Sequence, residues 1–191
     1  VPGLSVVYAS PSRPAVLYEI GRGFGARPAW MDNDTLHTWH VLRARAAVEP
    51  GNPALFVQIG RMSWWLHRLP EAREALMRAT TLEPMARDAF VLLGRVEVER
   101  GDYAAARDAY RSALTLKPGD PNTRLGYGLA LFMLGRNREA ALAWRPIIPM
   151  TIDPRALRAM MQLFDSLGDE AAANQARERL VPDAMLGQHA H

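Results

Sequence analysis

Two histidines in this sequence, His37 and His40, have a spacing that could create a metal site. Residues three apart share one face of a helix, so both imidazoles could reach one ion. A third ligand is needed, but His67 falls on another predicted helix end, and His189 and His191 stand in a terminal tail where histidines capture metals nonspecifically. The 191 residues contain no cysteine, which removes thiolate ligands and disulfides. The sequence therefore predicts no metal site and no cofactor.

A glycine-rich segment, GRGFG at residues 21–25, follows a β-prone run and has the composition of a phosphate-binding loop. It matches neither the dinucleotide fingerprint nor the Walker pattern. Arg27 and Pro28 also stand where a helix N-terminus would have to receive the phosphate, so we interpret the segment as a turn. The carboxylates are spread along solvent-facing positions, and no Ser, His and acid can be grouped. The sequence therefore predicts no catalytic site.

The overall composition is that of one globular unit. Hydrophobic residues make up 49% and charged residues 23%, and 191 residues are too few for two full-sized cores. The formal net charge is +3, but Lys117 is the only lysine and the arginines are scattered among Asp and Glu. Because no basic cluster forms, the sequence does not predict nucleic-acid binding. We also expect no small-molecule substrate.

The sequence gives one weak indication of location. No continuous apolar stretch reaches the ~18–20 residues that span a membrane, and no signal-peptide pattern opens the sequence. The first residue is Val1, which fits a processed, exported protein. We therefore expect a periplasmic location, or the periplasmic face of an inner membrane, with the cytoplasm as the alternative.

The clearest feature of the sequence is an internal repeat. Four sets of residue types recur at a step of 34, and such a period is the signature of a solenoid built from helix pairs. The four sets are Gly60, Gly94 and Gly128; Ala72, Ala106 and Ala140; Leu76, Tyr110 and Trp144; and Pro50, Pro84 and Pro118.

Within one repeat the apolar residues form two helical stripes. Gly101 and Asp102 separate the stripes as a helix stop followed by a capping residue, and Pro118 ends the second helix. The pattern predicts an antiparallel helix hairpin. The stripes of the best-defined repeat are Phe90, Leu93 and Gly94, then Ala106, Tyr110, Ala113 and Leu114.

These positions resemble the tetratricopeptide repeat signature slot by slot. Small residues such as Gly94 and Ala106 are needed where the two helices touch, because extra methylenes there would cost ~1–3 kcal/mol. One departure is Glu97, where the family usually has an aromatic residue. The matching residues are Phe90, Leu93, Gly94, Ala106, Tyr110, Ala113 and Pro118.

The resemblance implies an all-α fold, a right-handed superhelical solenoid of antiparallel helix pairs with an extended N-terminal arm. We expect the repeat domain at residues 31–181 and a C-terminal tail at 182–191. An unpaired helix with Asp34 as its N-cap is expected at 34–48, followed by repeats at about 53–86, 87–120, 121–153 and 154–181. Pro146 and Pro149 should end the second helix of the third repeat early.

The arm, residues 1–30, has no helical stripe but carries many apolar side chains. So much apolar surface should lie on something, either the chain's own solenoid or a partner. Its candidate contact residues are Val6, Val7, Tyr8, Val16, Leu17 and Tyr18.

In the tetratricopeptide repeat family the first helix of each pair lines the concave face, where partners bind. Members that clamp a terminal carboxylate have Lys and Asn there; here Val57 and Val91 occupy the lysine slots, and Arg61 and Arg95 the asparagine slots. A largely apolar groove edged with arginine suits an amphipathic helix or an extended apolar segment. For each residue, packing between repeats is the alternative. The candidates are Val57, Arg61, Trp64, Trp65, Val91, Arg95, Val98, Glu99, Leu125, Leu129, Phe132 and Met133.

The resemblance implies a protein-protein interaction module and no enzyme. The leading hypothesis is a scaffold or accessory subunit that assembles or stabilises a larger complex, such as a membrane-associated respiratory, photosynthetic or cytochrome-containing assembly. Its partners would then be subunits of that complex, which would bring it near a membrane. The alternatives are a soluble peptide-binding adaptor or chaperone, and a regulatory subunit of an enzyme.

Overall fold

The computed structural model describes the backbone of residues 31–180 and the side chains of residues 36–180. This part of the chain contains nine α-helices, one 3-10 helix and no strand, which confirms the expected all-α solenoid. The helices are α1 (Met31–Val48), α2 (Pro53–Trp65), α3 (Leu69–Leu82), α4 (Arg87–Arg100), α5 (Tyr103–Leu116), α6 (Pro121–Met133), α7 (Asn137–Trp144), the 3-10 helix (Arg145–Met150), α8 (Pro154–Ser166) and α9 (Glu170–Leu180).

Each helix packs mainly on its neighbours in sequence, as in a quasi-one-dimensional solenoid. Contacts between helices that are not neighbours in sequence show which side of the solenoid is concave. The inner helices α2 and α4 touch one another across repeats, and so do α4 and α6, whereas no two outer helices of the described region (α1, α3, α5, α7, α9) make a comparable contact. Because the inner helices approach each other more closely, they line the concave side.

Glycines explain why the repeat has a fixed period. A Cβ on Gly94 would lie 2.7 Å from Cε1 of Tyr110, and one on Gly60 would lie 2.5 Å from Cγ of Leu76. Gly128 meets the indole of Trp144 in the same way. Inner and outer helix of one repeat therefore touch backbone to side chain, and only the absence of a Cβ permits the contact.

The polar caps predicted from sequence hold the turns. Gly101 ends α4 with a φ of 79°, and the Asp102 carboxylate accepts a 3.0 Å hydrogen bond from the backbone N–H of Ala105 at the start of α5. Asp120 caps α6 in the same way. Its partial burial works to raise the pKa of the Asp120 carboxyl, but hydrogen bonds from Thr123 and the charge of Arg87 hold that pKa below its usual value.

Two boundaries bear on the predictions. α1 begins at Met31, so Asp34 lies inside the helix and the prediction that it is the N-cap is wrong. Acidic residues are favourable throughout a first turn, so an Asp locates a helix start only to within a turn. The prediction that Pro146 and Pro149 end the second helix of the third repeat early is confirmed, because α7 stops at Trp144 and the chain continues as the 3-10 helix.

The first outer helix, α1, is polar at two slots that are buried in the next outer helix, α3. Ala72 and Ala79 of α3 are fully buried against α2, but the same slots of α1 hold Thr38 and Arg45, both exposed. Arg45 forms an ion pair with Glu49 on its own helix, at 3.4 Å. At these two slots α1 therefore differs in sequence from α3.

Candidate partner-binding face

The concave face formed by α2, α4 and α6 carries the residues that the sequence predicted for partner binding. Ten of those twelve side chains are partly exposed, as a binding surface requires. Several also pack with one side against the core, so each contributes to both folding and the surface. The ten are Val57, Arg61, Trp64, Trp65, Val91, Arg95, Val98, Glu99, Phe132 and Met133.

The two remaining candidates, Leu125 and Leu129, do not lie on the surface. They are 6% and 4% exposed and belong to the large core cluster of the last two repeats. In this third repeat the inner helix α6 contacts the 3-10 helix, which replaces the end of the outer helix. The extra layer of packing is the physical reason that slots open in other repeats are closed here.

A preorganised cluster lies at the junction of α2 and α4. The indole N–H of Trp64 donates a 2.6 Å hydrogen bond to Oε1 of Glu99, which fixes the ring across the boundary between repeats. The Arg95 guanidinium lies over the same ring, 6.0 Å from its centroid, at the limit of a cation–π contact. An aromatic surface held by a partly buried hydrogen bond loses little entropy when a partner binds.

Tyr110 of the outer helix α5 packs next to this cluster. Its ring comes from the outer helix α5 and passes Gly94, and a Cβ on Gly126 of α6 would lie 2.5 Å from its Cζ. Burial raises the pKa of the Tyr110 hydroxyl, Arg95 opposes that shift and Glu99 adds to it. The hydroxyl therefore lies within electrostatic reach of both charged members of the cluster.

Arg61 differs from the other charged residues of the concave face. It is partly buried on α2, one turn before Trp64 and Trp65, and its guanidinium forms no ion pair or hydrogen bond with any residue between 36 and 180. Its guanidinium is thus available, within the described region, to an acceptor on a partner.

A second polar cluster surrounds Glu97. The sequence marks this residue as a departure from the family pattern but does not predict the cluster. Glu97, where the family usually has an aromatic residue, is 2% exposed. Its Oε1 accepts a 2.8 Å hydrogen bond from Nε of Arg73, and its Oε2 accepts one of 2.7 Å from Arg100. The departure from the family pattern at Glu97 was the sequence signal for this cluster. The sequence alone did not identify Arg73 and Arg100 as the partners of Glu97.

The contact between Arg73 and Glu97 repeats one found a repeat earlier. There the indole N–H of Trp39 donates a 2.7 Å hydrogen bond to Oγ of Ser63, and both residues stand 34 positions before Arg73 and Glu97. In each case an outer helix sends a donor to a buried acceptor on the next inner helix. Polar contacts therefore fix the stacking of α1 on α2 and of α3 on α4.

The residues that suggested a metal site have other roles or stand apart. His37 and His40 are exposed on α1, and the part of the chain with described side chains holds no group of three metal-binding side chains. His67 has a φ of 55° and occupies the turn slot filled by Gly101 and Gly135 in later repeats. A histidine is among the non-glycine residues that tolerate this conformation, so its role is to end α2.

Several predicted features fall outside the described residues: the glycine-rich segment 21–25, His189 and His191, and the arm candidates Val6, Val7, Tyr8, Val16, Leu17 and Tyr18. None of the described helices is long and apolar enough to cross a membrane.

Comparison with known proteins agrees with the helix pairs. Two models of the tetratricopeptide repeat match, at residues 65–121 and 97–163, and together they cover just over half of the chain. The putative cellulose synthase operon protein C of Escherichia coli O157:H7 is 28% identical over 148 residues, which are 75% of this chain and 13% of that protein. Protein POLLENLESS 3-LIKE 2 of Arabidopsis thaliana is 31% identical over 107 residues, 50% of this chain and 25% of that protein. The chain thus spans a quarter or less of these curated relatives.

Solved structures share the architecture at low sequence identity. A crystal structure of MamA protein superposes with a TM-score of 0.70 and 17% identity, over 92% of this chain and 94% of that chain. A structure of pilF from Pseudomonas aeruginosa gives a TM-score of 0.62 and 20% identity, over 78% of this chain and 67% of that one. These likenesses concern the fold alone.

Proposed function

This chain belongs to the tetratricopeptide repeat family, and on that premise we propose that it is a non-catalytic scaffold that binds a protein partner through its concave face. The observation that carries the proposal is the cluster of Trp64, Arg95 and Glu99, which holds an aromatic ring and a guanidinium in place between two repeats. Structural packing alone requires no such arrangement on a partly exposed surface.

The chemistry of the face defines the partner segment. Val57 and Val91 form an apolar surface at equivalent positions of α2 and α4. Arg61 and Arg95 follow one turn later on the same two helices. A partner that places apolar side chains against the valines and Trp64, and a hydrogen-bond acceptor near Arg61, would satisfy both kinds of surface. An amphipathic helix or an extended apolar segment with an acidic residue fits this description.

The finer proposal is an accessory subunit of a larger assembly. One relative is named for a cellulose synthase operon, which supports a role beside an enzyme complex, although this chain spans 13% of that protein. On a native gel, an accessory subunit would migrate with its assembly. Exchange at micromolar affinity would instead favour a peptide-binding adaptor, and a changed catalytic rate of the assembly would favour a regulatory subunit.

The double variant Trp64→Ala/Arg95→Ala is expected to lower the capture of partner subunits from a detergent extract of source cells by more than tenfold. Both side chains are partly exposed hot-spot types, so their loss should affect binding more than folding. Quantitative mass spectrometry of the captured proteins measures the effect.

The matched control is Arg111→Ala/Leu142→Ala on the outer helices α5 and α7, where the side chain of Arg111 is 63% exposed and Leu142 is 70% exposed. It should capture as well as the unmodified protein, and both variants should keep the same helical circular dichroism. Undiminished capture by the concave variant would contradict the proposal. Loss of its helical signal would show that Trp64 and Arg95 act only in packing.

A further inference from the structure

The outer side of the solenoid carries a groove between α1 and α3, which we call the α1–α3 groove. Its volume is about 380 Å³, and its lining is mainly apolar. Its charged lining residues, Arg43, Glu71, Glu74 and Arg78, are exposed or partly exposed and so lie toward its opening. The apolar lining includes Trp39, Ala46, Ala47, Phe56, Ile59 and Ala75.

An equivalent groove of about 330 Å³ lies two repeats further along, between α5 and α7. Comparison of the two shows what is particular to the first. Where the α1–α3 groove has Ala46 and Phe56, the second has Leu114 and Arg124. The first groove therefore has a smaller side chain at one lining position and an aromatic ring in place of a charged side chain at another, although both grooves arise from the same slots of the repeat.

The nearest apolar segment outside the described residues belongs to the same chain. Thirty residues precede α1, and among them residues 15–20 read AVLYEI, an apolar run interrupted only by Glu19. Ten residues lie between Ile20 and Met31, and the eleven steps that join these two residues reach at most about 40 Å when extended. Ala47 lies about 24 Å along α1 from Met31, so this run can return to the groove.

The inner side of α1 is a poorer place for the same run. In complete repeats that side packs against an inner helix through fully buried alanines, but in α1 the slots hold exposed Thr38 and Arg45. An apolar segment laid there would bury the Arg45 guanidinium and disturb its ion pair with Glu49. The α1–α3 groove has no such cost, since its charged residues stand at the opening.

Charge is also complementary at this opening. Arg43 lies over the ring of Trp39 at 4.8 Å, and Arg78 over the ring of Phe56 at 4.9 Å, so two guanidinium groups stand beside the apolar lining. Glu19 within the apolar run can approach them. Arg13 and Arg22, on either side of the run, suit the carboxylates of Glu71 and Glu74.

We propose that residues 15–20 of this chain dock into its own α1–α3 groove. A segment tethered by so few residues has an effective concentration in the millimolar range, so modest apolar burial is enough to keep it bound. Docking would cover the outer side of the first repeat and would leave the concave face open. The inference does not depend on the proposed function, because it concerns the opposite surface.

Engineered cysteines test the proposal cleanly, because the sequence contains none. One variant combines Ala15→Cys beside the run with Ala47→Cys, an exposed position at the groove. The matched control combines Ala15→Cys with Thr115→Cys, the exposed position two repeats further on. Both full-length variants are treated with a short bismaleimide at low protein concentration, and intrachain links are quantified by peptide mass spectrometry.

The expected result is at least tenfold more intrachain linkage at Ala47→Cys than at Thr115→Cys, independent of protein concentration. Adding Leu17→Asp to the first variant should remove most of that linkage, because a carboxylate would be placed in the apolar lining. Equal linkage at both positions would overturn the proposal, as would linkage that joins two chains. Linkage that survives Leu17→Asp would show only the effect of the tether and would also overturn it.

Discussion

Trp144→Ala is expected to lower the free energy of unfolding by about 3–5 kcal/mol, the range for removal of a large buried aromatic residue. Trp144 is fully buried, its indole N–H donates a 3.1 Å hydrogen bond to the backbone carbonyl of Leu125, and its ring stacks on Phe132 at 5.8 Å between centroids. The indole also occupies the space beside Gly128. Its removal would leave a cavity between α6 and α7 that neither backbone can fill.

Urea unfolding followed by circular dichroism measures this effect. Leu142→Ala is the control, since Leu142 lies on the same helix but is 70% exposed and should change stability by no more than about 0.5 kcal/mol. Because repeat proteins can unfold in parts, the first transition to appear should be that of the last two repeats. An unfolding midpoint for Trp144→Ala equal to that of Leu142→Ala would contradict this account of the core.

Glu97→Ala is expected to lower the free energy of unfolding by about 2–3 kcal/mol. Loss of one partner from a buried ion pair typically costs ~3–5 kcal/mol, because a charge is left without compensation. Here the side chains of Arg73 and Arg100 are 41% and 33% exposed, so their guanidinium groups can turn partly to water. The hydrogen bond that links α3 to α4 is lost in any case, and stacking of the first repeat (residues 53–86) on the second should weaken.

The control for this prediction is Glu139→Ala. Glu139 also pairs with an arginine, Arg136, at 2.6 Å, but its side chain is 46% exposed and its partner is the residue just before the same helix, α7. Exposed pairs of this kind contribute little, so a change below about 0.5 kcal/mol is expected in the same urea titration. If both variants lose equal stability, burial of the Glu97 carboxylate has no special role.

The helix pairs could be predicted from sequence because their determinants are local. Gly60, Gly94 and Gly128 mark a place in each of three repeats where a side chain from the outer helix meets the backbone of the inner helix, and this constraint recurs every 34 residues. Turn residues such as Gly101 and Asp102 act within a few positions, so the end of α4 and the start of α5 followed from residue types alone.

The exposure and contacts of each concave side chain could not be predicted in the same way, because they depend on neighbouring repeats. Leu125 and Leu129 share slots with exposed residues of earlier repeats, but the 3-10 helix adds a layer of packing that buries them. The hydrogen bond between Trp64 and Glu99 joins residues 35 positions apart on different inner helices. The clusters around Glu97 and Trp64 therefore depend on how adjacent repeats stack, which the sequence of a single repeat does not specify.

The central claim is that the concave face binds the partner, and site-specific photo-crosslinking in source cells tests it most directly. A benzophenone amino acid placed at Val91, partly exposed on α4, is compared with one at Thr115, exposed on the outer side. The account predicts a discrete protein adduct from Val91 and none from Thr115. Adducts from Thr115 with none from Val91 would contradict it, because the partner would then lie on the outer surface.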